Sequence, residues 1–229
     1  MTRQTMLAAA RRLPRPDIYG IGICRDGNES VDYEIGWDDL DRDIAWAHQQ
    51  LLAAGVTAAD HVLITCTNHE APWLSPVVRA LRRIGAVYTP AETYSWDAAR
   101  FISVLERLPI TVVIGLCGET LSAVTAKKPD LAALFDGVRL VWSRPEAHAE
   151  LSAAGVPSLR MGLLGPALGL ALPDAPDVLR VNAAEWVVHE SDGALLVSAT
   201  VARHASLRDL PTGIAGRVTV DGDTVLIEP

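Results

Sequence analysis

A chain of 229 residues, 49% hydrophobic and 21% charged, can bury a core without disulfides or metal and does not read as a disordered segment. Its net charge of −8, with only two lysines (Lys127 and Lys128), provides no basic face to displace counterions, so no nucleic acid is expected as a partner. No run approaches the roughly 18 apolar residues of a membrane span. With three widely spaced cysteines and only a short apolar stretch near the start, the reading is a cytoplasmic protein with reduced thiols and no membrane partner.

Two short strands, Ile18–Cys24 and Val31–Ile35, are predicted around the turn-forming Asp26, Gly27 and Asn28. Trp37, Leu40, Ile44, Ala47 and Leu51 then recur at three- and four-residue steps, which places them on one face of a helix. Asp38 and Asp39 favour its first turn and Gly55 its stop. His61–Thr67 reads as a buried strand. Leu74, Val77, Val78, Leu81 and Ile84 read as a second helix, opened by Pro72 and closed by Gly85. His69 and Glu70 fall between them and read as a solvated polar turn. Ala86–Thr89 is a short strand, and Ser95 is placed to cap a third helix whose inner face is Ile102, Leu105 and Leu108.

Ile110–Leu116 is apolar and β-branched, as in a strand covered on both faces. A short helix over Leu131–Phe135, a strand over Val138–Trp142 and a helix over Pro145–Ala154 follow. Cys66 and Cys117 lie in apolar runs and are expected in the core. Beyond Pro145 the periodicity fades, and Pro157–Pro176 shows none. Glu185–His189 and Ala194–Ala199 read as strands, and Asp221-Gly222-Asp223 as the turn of a C-terminal β-hairpin. The expected fold class is therefore α/β, with a mostly parallel sheet flanked by helices. The chain divides into an entry segment (1–35), an α/β core (36–145) and a weaker α/β remainder (146–229).

Over Gly36–Leu116 an ordered series of short motifs recurs: Trp37-Asp38-Asp39-Leu40-Asp41, Ala54-Gly55-Val56, Ala59-Asp60-His61-Val62, Thr67-Asn68, Arg83-Ile84-Gly85-Ala86-Val87 and Thr89-Pro90. In order and spacing this stretch resembles the opening region of the adenylate-forming superfamily, which includes acyl-CoA synthetases, luciferases and peptide-synthetase adenylation domains. That family places a loop written T-S-G-T-T-G-x-P-K-G against the ATP phosphates, where glycines admit backbone amides and the lysine adds positive charge. The counterpart here is a degenerate remnant: His189, Glu190, Ser191, Asp192, Gly193 and, at the lysine's place, Ser198.

The resemblance implies that Glu190 and Asp192 repel a polyphosphate, and that the family's later steps have no counterpart before Pro229. No cofactor and no catalytic residue are therefore expected. The implied role is a non-catalytic partner subunit or self-associating scaffold, with Trp73 and Trp96 as candidate interface residues exposed on a face the family normally covers. One chain of a split acyl-adenylating enzyme, or a binder of a small acyl or nucleotide ligand, are the alternatives.

Other signatures are weaker. Gly20-Ile21-Gly22 lacks the third glycine of a dinucleotide fingerprint, since Arg25 takes its place. Ser198, His204 and Asp209 are close in sequence, but closeness is not triad geometry. The six histidines show no metal-ligand spacing.

Overall fold

The structure, a computed structural model, describes residues 4–5, 17–26, 29–67 and 70–228. The predicted turn residues Gly27 and Asn28, together with Asn68 and His69, lie outside the described residues. A hairpin of β1 (Ile18–Asp26) and β2 (Glu29–Gly36) leads into α1 (Trp37–Ala53). Then follow β3 (His61–Thr65), α2 (Ala71–Ile84), β4 (Val87–Ala91), α3 (Ala98–Arg107), β5 (Val112–Leu116), α4 (Gly118–Thr125), α5 (Leu131–Leu134), β6 (Leu140–Ser143) and α6 (Pro145–Ala153). The rest is strand: β7 (Leu159–Leu164), β8 (Ala167–Leu172), β9 (Ala175–Asn182), β10 (Trp186–Ser191), β11 (Ala194–Ala199), β12 (Leu210–Pro211), β13 (Arg217–Asp221) and β14 (Thr224–Glu228).

Nine strands form one sheet in the order β13-β14-β9-β8-β7-β6-β5-β3-β4. From β4 to β7 the pairing is parallel, and from β7 to β13 it is antiparallel. The change falls where the connections change. Helices carry the chain back between the parallel strands, whereas only Gly165 and Pro166 separate β7 from β8, and two residues suffice only for a hairpin. The C-terminal hairpin β13–β14 joins the sheet through β9, and β10, β11 and β12 form a separate small sheet.

The parallel strands alternate their side chains between two buried layers, as a period of two requires. Val62 and Ile64, Val112 and Ile114, and Leu140 and Trp142 face α1 and α2. Leu63, Val113 and Val141 face α3 to α6. Each such aliphatic side chain contributes about 1.5–3 kcal/mol when fully buried. On α1 the predicted stripe holds: Leu40, Ile44, Ala47 and Leu51 are all buried, and Gly55 ends the helix at φ 80°.

Two local expectations are corrected. Ser95 does not cap α3: it opens a 3-10 turn, Ser95–Asp97, and its backbone N–H donates to Glu119 Oε1 at 2.8 Å. Among the cysteines it is Cys24 that is buried, while Cys66 and Cys117 are half-buried at the carboxyl ends of strands. Among the described residues no helix is long and apolar enough to cross a membrane.

Asp60 ties together the amino-terminal ends of β3, β5 and β6. Its carboxylate accepts from Arg139 Nη2 (2.6 Å) and Nε (3.1 Å), from Thr111 Oγ1 (2.7 Å) and from the Thr57 N–H (2.7 Å). Burial alone pushes the carboxyl up, but the Arg139, Thr111 and Thr57 hydrogen bonds outweigh it and hold Asp60 at about 2, below its ordinary 3.8. The unfolded chain therefore takes up this proton first as pH falls. The stabilisation is complete above pH 4 and is lost toward pH 2. Urea midpoints of Asp60→Asn should be lower than those of the parent at neutral pH, and the gap should narrow across that window. A gap that stays constant would show that Asp60 does not titrate as described.

Candidate functional site

The phosphate-loop counterpart lies at the tip of the β10–β11 hairpin. Ser191 pairs directly with Ala194, so only Asp192 and Gly193 connect the strands. Both have positive φ, 51° and 77°, as a type I′ turn demands. Two residues are too few to wrap a phosphate. Glu190 and Asp192 are exposed. Their repulsion of an anion is therefore nearer the aqueous value of about 1 kcal/mol per pair than a buried one.

Around this hairpin the sequence neighbours separate. Ser198 Oγ donates to Asp209 Oδ1 (3.1 Å) and accepts from the Asp209 N–H (2.8 Å). The histidine nearest Asp209 is His189, at 3.6 Å. His204 instead turns to Glu34 (3.0 Å), and its backbone N–H donates to Asp39. Ser198, His204 and Asp209 thus form no triad.

In an open parallel sheet, ligands commonly bind beyond the strand carboxyl ends where the winding reverses. Here that point lies between β3 and β5, since β4 and β6 flank them on opposite sides. Beside it Glu70 is buried, accepting from the Thr67 N–H at 2.8 Å and pairing with Arg144 at 2.5 Å. The expected solvated turn is corrected at Glu70: a buried carboxylate must be paired, and Arg144 arriving from the end of β6 pairs it. Cys117 Sγ donates to the Thr93 carbonyl at 3.2 Å. The Cys66 thiol is pushed up, by burial first and then by Glu70 and Glu92, which disfavours a reactive thiolate.

A cavity of about 670 Å³ opens between the β1–β2 hairpin, α2 and the β7–β8 turn. Its wall is chiefly apolar, with Ile23, Trp73 and Leu163, and Arg25 and Thr212 add polar groups. Trp73 is corrected as an interface residue: it is 8% exposed, and its indole N–H donates to the Gly165 carbonyl at 3.1 Å. Its helical period aimed it inward, and the freed N–H found a partner at the hairpin. Trp96 remains on the surface at 70% exposure, stacked on Tyr94 with ring centroids 5.9 Å apart. Val87 and Tyr88 of the neighbouring edge strand β4 are also exposed. Among the described residues no cluster of three or more His, Cys, Asp or Glu could hold a metal.

No protein-family model matches the sequence, and no curated protein matches it. Solved structures do. A 2-hydroxyisobutyryl-CoA ligase in its postadenylation state superposes with TM-score 0.68 at 13% identity, over 98% of this chain and 55% of that one. An ATP-bound RpMatB-BxBclM chimera gives 0.60 at 14% identity, over 94% and 48%. The anthranilate CoA ligase AuaEII with anthranoyl-AMP gives 0.57 at 15%, over 93% and 47%. The chain spans about half the length of the structures it matches. Over that half it shares the fold of these CoA-ligase structures, which is the fold implied by the resemblance carried by Gly36–Leu116.

Proposed function

We propose that this chain is a non-adenylating relative of the acyl-CoA ligases that works by binding a protein partner or a second copy of itself. The observation that carries the reading is the two-residue closure at Asp192-Gly193, which leaves no loop to hold a triphosphate. Ser198 at the lysine's place supports it, since a hydroxyl supplies no positive charge. The exposed edge strand β4 and the Tyr94–Trp96 stack supply the surface on which a partner is expected.

A ligand at a hundredfold excess over Kd stabilises a fold by about 2.7 kcal/mol, which shifts a chain of this size by about 5–11 °C. We expect no such shift with ATP and magnesium, no pyrophosphate exchange with acyl substrates, and an oligomer or captured partner by light scattering and co-purification. Tight ATP binding, or acyl-AMP made by the isolated chain, would sink the non-adenylating part. A monomer that captures nothing would sink the partner part. A second reading, a binder of a small acyl ligand, is favoured by the 670 Å³ cavity. Melts with fatty and aromatic acids test it, and Trp73 in the cavity wall provides a fluorescence readout.

A further inference from the structure

On the opposite margin of the β6–β7 pair, three residues far apart in sequence meet. His148 stands on α6, Ser158 immediately precedes β7, and Asp177 belongs to β9. Ser158 Oγ lies 2.7 Å from His148 Nδ1, and His148 Nε2 lies 3.0 Å from Asp177 Oδ1. All three line one cavity of about 390 Å³ whose remaining wall includes Leu140, Val156, Leu159 and Pro173. That cavity shares no lining residue with the larger one beside Trp73.

We propose that Ser158, His148 and Asp177 form a nucleophilic acyl-transfer site that accepts esters or thioesters of small apolar acyl groups. The hydrogen-bond roles follow from the chemistry of each group. Arg160 Nε donates to the same Asp177 oxygen at 3.0 Å. Hydrogen bonds from Arg160 first, and from His148, hold the Asp177 carboxyl below its ordinary range, so it is ionised and can only accept. His148 Nε2 must then carry the proton. In the neutral ring this leaves the Nδ1 lone pair facing Ser158, whose hydroxyl donates to it. A serine donating to an imidazole whose other nitrogen is anchored by a carboxylate is the arrangement that activates a hydroxyl. The ring is 12% exposed while Asp177 is 64% exposed, so the base is held in the cavity wall and the anchor reaches it from the rim.

The step balances within these groups. Ser158 Oγ forms a bond to the acyl carbonyl carbon as its proton passes to His148 Nδ1. The bond from that carbon to the leaving oxygen or sulfur then breaks, and the leaving group takes the proton from Nδ1. Water attacks the acyl-Ser158 ester by the same route and releases the carboxylic acid.

The test is labelling by a fluorophosphonate probe, located by peptide mass spectrometry, beside hydrolysis of p-nitrophenyl butyrate. The adduct is expected on Ser158 and absent in Ser158→Ala, with Ser122→Ala labelling as the parent does. His148→Gln should slow labelling by about 10²–10⁴-fold, the range general base catalysis supplies. Asp177→Asn should slow it and Asp177→Glu should restore part of it. Melting curves establish that each variant folds. An unlabelled Ser158, or a His148→Gln variant that folds and labels at the parent rate, overturns the proposal. It is independent of the non-adenylating reading, which ATP binding tests separately.

Discussion

Arg203→Ala is expected to lower stability by about 3–5 kcal/mol, the cost of removing one partner from a buried ionic group. The guanidinium is 5% exposed and donates through Nη1 and Nη2 to both Asp43 oxygens at 2.9 and 3.1 Å. Nη1 also donates to Glu185 Oε2 at 3.1 Å. It stacks over the Trp186 ring at 4.3 Å. Glu185, 1% exposed, is shared with Arg42 at 2.6 Å, and Arg42 reaches Asp39 at 2.7 Å. The group joins α1 to the start of β10, and so fastens the small sheet to the large one. Removal of Arg203 leaves the half-buried Asp43 and the buried Glu185 with one cation, Arg42, between them.

For a chain of this length the loss corresponds to about 6–20 °C in Tm. The pH dependence provides a second signature. Burial already raises the Asp43 carboxyl, and Arg203 opposes that rise. Without Arg203 the carboxyl rises further, so the folded variant binds a proton more tightly than its unfolded chain does. Its stability should then increase as pH falls from neutral, and the deficit against the parent should shrink in mild acid. A deficit below about 1 kcal/mol, or one independent of pH, would mean that the ions are screened and do not fasten the sheets. Arg203→Lys should recover only part of the loss, because an ammonium cannot span Asp43 and Glu185 as the planar fork does.

The parts of the fold that were readable in the sequence are those whose burial is one-sided or complete over a full element. α1 shows its buried stripe openly because its outer face is polar, and β5 reads as an unbroken apolar run because both its faces are covered. The β7–β8 hairpin was hidden for a physical reason. Gly162 pairs with Gly169, and a Cβ added at either would stand 3.0–3.3 Å from the side chains of Leu164 and Leu179. Side-chain alternation cannot be read where the sheet uses glycines to admit its neighbours. α4 escaped notice because Gly118–Thr125 presents three hydroxyl residues and only two fully buried leucine or valine side chains, too few to set a period.

The candidate sites divide in the same way. The Asp192-Gly193 turn carried the Asp-Gly signal of a tight hairpin, yet the family resemblance drew attention to phosphate chemistry at that position. Trp73 and Trp96 looked alike as helix-start tryptophans, and only the packing of α2 against the Gly165 carbonyl separates the buried one from the exposed one. Glu70 could not be read as buried, because its partner Arg144 arrives from 74 positions away, at the end of another strand. His148, Ser158 and Asp177 have no signature spacing. They meet because α6 returns the chain to the start of β7 and β9 comes alongside β8.

Gly115→Ala should be the most damaging change that adds a single methyl group. Along β5, Val112 and Ile114 face α1 and α2 while Val113 faces α3 to α6, so strict alternation would send Leu116 to the first layer. Leu116 instead packs in the second. The parity changes at Gly115, where φ is +92° and the pairing of β5 with β6 slips between Ile114 and Leu116. A Cβ there would stand 2.4 Å from the Thr65 carbonyl oxygen and 3.3 Å from Thr65 Oγ1. The obstacle is backbone of β3, in the middle of the sheet, and cannot rotate away. The left-handed conformation costs an alanine about 1–2 kcal/mol, and displacing packed neighbours about 1–3 kcal/mol more. Gly137→Ala is the matched comparison: its φ of +86° is similar, but nothing lies within 4 Å of the added methyl. It should show the conformational cost alone. Denaturant midpoints of the two variants, read with their m-values, therefore isolate the clash. Equal losses in the two would mean that β3 yields to the methyl, and that the bulge at Gly115 is not what turns Leu116 toward the second layer.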